Sequence, residues 1–293
     1  MAISMKNINR KTPFVKALAL MLALVMISVS FVGCFAKEET SEELLYVHFI
    51  DVGQGDCELI VTPDGQTVLI DAGIPESGES IVSYISSLGI TEIDIFVASH
   101  YHQDHIGGSP DVFEAFDVLS VLILDCTVTS ACAKNLLKDI EQEKSEVFYA
   151  KRGYEFELGE VEFLTLSPEK ISDKGGNDDS IVLRMQYGGA RYIFTGDAEE
   201  KTEKEILSHY DKSELSSDLL KVGHHGSRTS TSNDFLAAVA PNIAVISCGK
   251  GNSYGHPHYE TVEKLSASVS FIYRTDVIGS VVIVTDGEKI YLE

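Results

Sequence analysis

Basic residues and cysteines are both scarce in this sequence of 293 residues. Lys and Arg number 23 against 45 Asp and Glu, which gives a formal net charge of -22. A chain of this charge is not expected to hold a polyanion by charge alone, so nucleic-acid binding needs independent support. Beyond Cys34, the cysteines match no zinc knuckle or CxxC motif. We expect them to be buried free thiols, although an oxidising compartment would permit a disulfide between Cys126 and Cys132.

Acidic residues are absent from the first 33 positions, which contain four basic residues and then an apolar run over 17–32. The run is rather short for a membrane span and suits the apolar region of a secretory signal. It ends in Phe31-Val32-Gly33-Cys34, which resembles the lipobox of bacterial lipoproteins, with Phe31 in place of the usual leucine. We expect residues 1–33 to be a lipoprotein signal peptide and a lipidated Cys34 to anchor the protein outside the cytoplasm. An uncleaved signal anchor and ordinary cleavage near Ala36 are the alternatives.

The rest of the chain shows no repeat and no low-complexity tract. Residues 34–44 are polar and acidic and predict a tether. Residues 45–293 predict one α/β domain with mixed sheets covered by helices. Helices are predicted at 78–88, 131–144, 199–210, 232–240 and 258–267. Strands are predicted at 45–51, 57–62, 67–71, 93–98, 119–124, 160–166, 180–187, 190–195, 218–223, 243–247 and 280–285.

A dense group of metal-binding residue types follows the predicted strand 93–98. His100, His102, Asp104 and His105 fall within six residues, at a strand end where side chains can converge and water can enter. Imidazole and carboxylate ligands suit a borderline metal such as zinc. The segment therefore predicts a metal site.

This HxHxDH pattern resembles that of the metallo-β-lactamase superfamily, and further matches follow in order. Asp71, in Leu-Ile-Asp-Ala-Gly, resembles the family's acidic residue behind the ligands. Asp197, in Thr-Gly-Asp, resembles the aspartate that bridges two metals, although alone it would be taken for a turn residue that caps the next helix. His224 and His225 follow another predicted strand, and one of them should complete the second metal site. We favour His225 as this ligand. Adjacent side chains on a strand point to opposite faces, so both histidines could be ligands only if the strand has ended.

One branch of the superfamily is more similar than the others. The segments 51–56 (DVGQGD), 177–180 (NDDS), 221–227 (KVGHHGS) and 254–257 (YGHP) resemble the extracytoplasmic hydrolase domain of ComEC-type competence proteins and its stand-alone relatives. Cell-surface phosphorylcholine esterases are similar in the same segments. The resemblance spans about residues 45–290.

The resemblance implies a four-layer αββα sandwich with two divalent metal ions at one edge. The first metal would take His100 and His102, the second Asp104, His105 and His225, with Asp197 between them. Asp104 is also placed in the catalytic group, with His224 contacting an oxyanion or protonating the leaving group and His256 donating to substrate phosphate. The metals would lower the pKa of water from about 15.7 to about 7 and supply a hydroxide.

The chain departs from the commoner family pattern in one place, since no histidine lies between His105 and His209. Asn177 or Asp178 stands where many members have one, and an oxygen ligand there would leave manganese more competitive with zinc, the expected ion. We expect a metal-dependent phosphodiesterase outside the cell that acts on nucleic acid or an envelope phosphodiester. The alternatives are acyl or lactam hydrolysis at the same site, and a non-catalytic ligand-binding lipoprotein.

Overall fold

Two mixed β-sheets form the centre of the computed structural model, which describes residues 44–171 and 174–293. The predicted signal peptide, the lipidation site and residues 34–43 of the tether lie outside the described residues. The first sheet has the strand order β15-β14-β1-β2-β3-β4-β5-β6. Its strands are β1 (Leu45–Phe49), β2 (Glu58–Val61), β3 (Thr67–Ile70), β4 (Glu92–Val97), β5 (Asp117–Ile123), β6 (Glu146–Tyr149), β14 (Val281–Thr285) and β15 (Ile290–Leu292).

The second sheet has the order β13-β12-β11-β10-β9-β8-β7. Its strands are β7 (Glu155–Leu158), β8 (Val161–Ser167), β9 (Val182–Tyr187), β10 (Ala190–Phe194), β11 (Leu219–Lys221), β12 (Ile243–Ile246) and β13 (Phe271–Arg274). In each sheet an antiparallel part meets a parallel part, which comprises β3 to β6 in the first sheet and β10 to β13 in the second.

Nine α-helices follow in the described ranges: α1 (Gly78–Ser87), α2 (Gln103–Ile106), α3 (Ser109–Ala115), α4 (Ala131–Glu143), α5 (Glu200–His209), α6 (Lys212–Leu215), α7 (Asn233–Val239), α8 (Tyr259–Ser266) and α9 (Thr275–Ile278). Short 3-10 turns occupy Pro75–Ser77, Asn177–Asp179 and Gly223–Gly226. No helix among the described residues is long and apolar enough to span a lipid bilayer.

Successive residues along the strands of the second sheet point alternately into two apolar cores. Tyr192 and Phe194 of β10 belong to the core between the sheets, where Phe194 stacks on Phe49 of β1. Ile193, between them, faces the other core with α5, α7 and α8. On the outer side of the first sheet, α1, α3 and α4 contribute apolar residues. The layers therefore run helix, sheet, sheet, helix, and the expected αββα fold is confirmed.

The four cysteines of the described part are free thiols. Cys57 and Cys248 are buried, as expected. Cys126 and Cys132 are only half-buried, so the expectation of buried thiols was wrong for these two. Cys126 lies on the loop that leads to α4, and Cys132 lies in the first turn of α4. Both are beside Tyr101.

Candidate metal centre

The side chains of the candidate site come from the carboxyl ends of neighbouring parallel strands. Asp71 follows β3, His100 follows β4, Asp197 follows β10 and His225 follows β11. Parallel strands end at a common edge of their sheet, and the crevice beyond that edge is the usual ligand site of α/β folds. Because the two sheets pack face to face, both edges contribute to one cluster.

Four side chains surround what we name the second metal position. His225 Nε2 lies 3.3 Å from Asp104 Oδ2 and 3.6 Å from Asp197 Oδ2. His105 Nε2 lies 3.3 Å from Asp197 Oδ1. Ligand atoms that are about 2.0–2.2 Å from a tetrahedral zinc ion lie about 3.3–3.6 Å from one another. These three distances lie in that range. Asp56 belongs to the same cluster, since ligand atoms of Asp56, His105, Asp197 and His225 lie within 4.8 Å of one another.

The first metal position is formed by His100, His102 and Asp197, whose ligand atoms lie within 4.8 Å of one another. His100 Nε2 is 3.9 Å from Asp197 Oδ2, and His102 is exposed to solvent. Asp197 Oδ2 lies near both His100 and His225, and its Oδ1 lies near His105. The carboxylate of Asp197 therefore lies between the two groups of histidines.

Buried polar atoms without partners give an independent test of the fit. Nε2 of His100, Nε2 of His105 and Oδ1 of Asp197 are buried and make no hydrogen bond, and the last two approach each other outside hydrogen-bond geometry. Such atoms are costly to bury unless something satisfies them. Divalent metal ions would do so, and the residues present therefore fit the group.

Contacts behind the histidines fix which ring nitrogen faces the site. His105 Nδ1 is 2.7 Å from Asp71 Oδ2, and Asp71 also accepts hydrogen bonds from the backbone N–H and hydroxyl of Ser99. His225 Nδ1 donates to the carbonyl of Ser247 at 3.1 Å. Partners of this kind orient metal-binding imidazoles and raise their basicity. Asp71 lies where the family resemblance placed its acidic residue.

The electrostatic balance differs between the histidines. Burial and then the neighbouring His105 lower the pKa of His100 well below its usual range, so this ring is neutral and ready to bind a cation. Burial also opposes charge on His225, but the carboxylates of Asp197 and Asp56 outweigh it and raise its pKa to about 10. Burial also opposes charge on His105, but the carboxylates of Asp197 and Asp71 outweigh it and raise the pKa of this ring. Metal binding at the second position must therefore displace protons.

The adjacent histidines reach the site because β11 ends before them. His224 and His225 both adopt the left-handed region, with φ values of 47° and 52°. His225 is buried at the second position, whereas His224 is partly exposed, with Nε2 3.7 Å from Asp197 Oδ2 and Nδ1 3.0 Å from Glu199 Oε1. This geometry favours His225 as the ligand and leaves His224 at the open side of the cluster.

His256 lies over the same edge, on the loop after β12. Its ring centroid is 5.3 Å from that of His224 and 6.1 Å from that of His225. Burial, followed by these two neighbours, lowers its pKa to about 4. The side chain of Asn252 holds the loop, because its Oδ1 accepts hydrogen bonds from the backbone N–H groups of Tyr254 and His256. The structure therefore brings together all the residues that the sequence proposed for the site.

The two candidates for the missing histidine separate in space. The Asn177 amide lies 3.4 Å from Nδ1 of His224, and its Oδ1 is buried without a hydrogen bond. Asp178 instead pairs with Lys201 of α5 at 3.2 Å. Of the two, Asn177 is the one whose side chain lies beside the histidine cluster.

Two contacts of the site were not predicted from the sequence. Glu199 holds His224 through Nδ1, and the only signal for it is its position two residues after Asp197. Lys221 donates to Asp56 at 2.6 Å beneath the second position. Asp56 ends the segment 51–56, and its oxygens approach the Nδ1 side of His225 and His105. The turn that contains Gly55 and Asp56 is tightly packed, since a Cβ atom on Gly55 would overlap the Asp104 carbonyl.

Curated relatives match most of this chain. It is 32% identical over 252 residues to "ComE operon protein 3" of Bacillus subtilis, covering 80% of this chain and 32% of that protein. It is 30% identical over 249 residues to "Recombination protein 2" of Haemophilus influenzae, covering 83% and 29%. "Competence protein ComA" of Neisseria gonorrhoeae is 30% identical over 262 residues, covering 87% and 34%. The chain thus spans about a third of the length of these ComEC-type competence proteins.

Solved structures support the fold. The metallo-beta-lactamase fold protein YhfI from Bacillus subtilis superposes with a TM-score of 0.55 at 12% identity, over 85% of this chain and all of that one. CmlA of Streptomyces venezuelae, described as a diiron beta-hydroxylase, superposes with a TM-score of 0.51 at 12% identity, over 78% and 52%. The family model of the Metallo-beta-lactamase superfamily matches residues 50–250. With its αββα layers and a candidate site compatible with divalent metals, this chain belongs to the metallo-beta-lactamase superfamily and has the features of its metal-dependent hydrolases.

Proposed function

We propose that this protein is a phosphodiesterase that works outside the cytoplasm on nucleic acid or on an envelope phosphodiester. The observation that carries the proposal is Asp197, whose carboxylate lies between two groups of histidines. Divalent ions at two adjacent positions would activate a water molecule and hold both the attacking and the leaving oxygen of a phosphodiester. The relatives whose names refer to competence and recombination also favour a phosphodiester substrate.

The chain's own residues suggest how the ester would be held and cleaved. His224 lies at the open side of Asp197 and is oriented by Glu199, so its Nε2 can donate to a phosphoryl oxygen or to the leaving oxygen. His256, next to it, lies within 3.4 Å of the Gln54 amide and can bind a second oxygen. Both roles require that the phosphate of the substrate face this pair of rings.

An exposed aromatic ring beside His256 favours nucleic acid over a small envelope ester. Tyr254 is 66% exposed, and its ring stacks on that of His256 with centroids 5.7 Å apart. Base stacking on an aromatic ring contributes about 1–3 kcal/mol per base and does not need a basic surface. This mode of binding suits a chain of net charge -22.

A substrate panel tests the proposal. The domain from residue 45 onward, reconstituted with zinc or manganese, should hydrolyse bis-p-nitrophenyl phosphate and leave a chromogenic lactam intact, because two cations suit a phosphodiester. Hydrolysis of the lactam alone would reject phosphodiesterase activity in favour of acyl transfer to water. No turnover of either compound by the metal-loaded protein would favour a ligand-binding protein.

The same panel distinguishes the two phosphodiester classes. For a single-stranded oligonucleotide, Tyr254→Ala should raise KM about tenfold, since 1.4 kcal/mol of stacking corresponds to that factor. Tyr259→Ala is the matched control, because Tyr259 is also exposed but lies on α8 and donates to Glu263. An unchanged KM in the Tyr254 variant, together with faster cleavage of glycerophosphodiesters than of oligonucleotides, would shift the proposal to the envelope.

We also propose that a lipidated Cys34 anchors the protein to the membrane, because a basic segment, an apolar run and Phe31-Val32-Gly33-Cys34 follow one another in the sequence. Cys34→Ser should abolish incorporation of labelled lipid and release the protein or stall its processing. Cys57→Ser serves as the control. Unchanged lipid labelling and membrane fractionation of the Cys34 variant would contradict the proposal.

A further inference from the structure

A pair of opposite charges is buried behind the second metal position. The Lys221 ammonium donates to Asp56 Oδ2 at 2.6 Å, and both side chains are 1% exposed. Lys221 ends β11 of the second sheet, whereas Asp56 precedes β2 of the first, so the pair joins the two sheets at the edge where the site lies. Buried ion pairs are a poor means of stabilising a fold, because apolar side chains in their place are often as good or better. The pair therefore calls for a functional explanation.

Asp56 faces the back of both histidines of the second metal position. Its Oδ1 lies 3.1 Å from Nδ1 of His225, and its Oδ2 lies 3.9 Å from Nδ1 of His105. The ring of His225 is already oriented by its hydrogen bond to the Ser247 carbonyl, and Asp56 Oδ1 makes no hydrogen bond. Asp56 therefore adds negative charge behind the imidazoles and not a further orienting hydrogen bond.

We infer that the Asp56–Lys221 pair is a positioning device that strengthens metal binding at the second position. A carboxylate behind a metal-binding imidazole increases the basicity of the nitrogen that faces the metal. The lysine is needed because a buried charge without a partner is costly. The ammonium pairs with the carboxylate, and the short ion pair holds it in place against the two rings. This inference concerns metal binding and does not depend on which ester the protein cleaves.

Asp56→Asn, Lys221→Met and the double variant test the inference. Each single change leaves one buried group without its partner, so a lower Tm or a failure to fold is expected of both. The double variant Asp56→Asn/Lys221→Met removes both charges at similar volume and should recover most of the Tm. Its affinity for metal at the second position should nevertheless stay low, because the negative charge behind the histidines is gone.

Cobalt(II) titration of the domain, followed by visible absorption and calorimetry, measures the two positions separately. The double variant should bind one equivalent as the parent does and the other about 10–100-fold more weakly. Glu58→Gln is the matched control. Glu58 is a buried residue near the same ion pair. Its carboxyl group lies 3.5 Å from the Ser247 hydroxyl and does not face a histidine as Asp56 does. Glu58→Gln keeps the shape of this side chain and leaves the Asp56–Lys221 pair in place, so both equivalents should be retained.

Two results would overturn the inference. A double variant that binds both equivalents as tightly as the parent would show that the pair serves the fold alone. Equal weakening of both equivalents would show that the pair does not act on the second position. Because metal binding is measured without a substrate, loss of this inference leaves the phosphodiesterase proposal standing, and an inactive protein with the expected cobalt titration would reject only the latter.

Discussion

His105→Ala and Asp104→Asn should each lower phosphodiester turnover by at least about a thousandfold, because activation of water requires the metal at the second position. The two side chains face that position from one short segment, and His225 Nε2 completes the group at 3.3 Å from Asp104. Turnover at saturating substrate, measured beside the metal content of each purified variant, checks the prediction.

His209→Ala is the control for these variants, since His209 is exposed on α5 and lies outside the cluster. It should keep full turnover and full metal content. Near-parental turnover in either the His105 or the Asp104 variant would show that the second position takes no part in the reaction. Loss of turnover together with a collapsed Tm would be uninformative for His105, which is buried, but Asp104 is partly exposed and separates catalysis from folding.

Asp197→Ala should remove both metals, whereas His100→Ala should leave about one equivalent. The difference follows from geometry, because Asp197 lies 3.9 Å from His100 Nε2 through one oxygen and 3.3 Å from His105 Nε2 through the other. The first position has only two histidines, of which His102 is exposed, so its metal should also exchange faster. Metal content per chain after dialysis measures both effects.

Thermal unfolding gives a second readout for the same pair of variants. A ligand present at 100 times its Kd stabilises the folded state by about 2.7 kcal/mol, so added zinc should raise the Tm of the parent and of His100→Ala. Zinc should leave the Tm of Asp197→Ala unchanged. Retention of one tightly held equivalent by Asp197→Ala would contradict the bridging role of this residue.

The regular elements were largely predictable from the sequence. All eleven predicted strands are present within two residues at either end, and the five predicted helices within one. The four missed strands, β6, β7, β13 and β15, are the outermost strands of the two sheets. An edge strand pairs on one side only and is largely exposed, as the two exposed residues in three of β15 show. Such a strand needs no continuous apolar run, so the signal used for the inner strands is missing.

What the sequence alone determined about the site is its local part. His100, His102, Asp104 and His105 lie within six residues of one another, so their types and spacing alone place them together. Asp71, Asp197 and His225 were recognised by resemblance, because each follows an apolar strand and carries a short motif.

Tertiary structure alone decided the contacts that join distant parts of the chain. Lys221 meets Asp56 across 165 positions, and nothing near either residue indicates the other. The roles of His224 and His225 depend on two left-handed backbone conformations, which the residue types do not predict. Spacing along a chain constrains only neighbours, whereas the partner of a buried charge is set by which strand ends the packing of two sheets brings to the same edge.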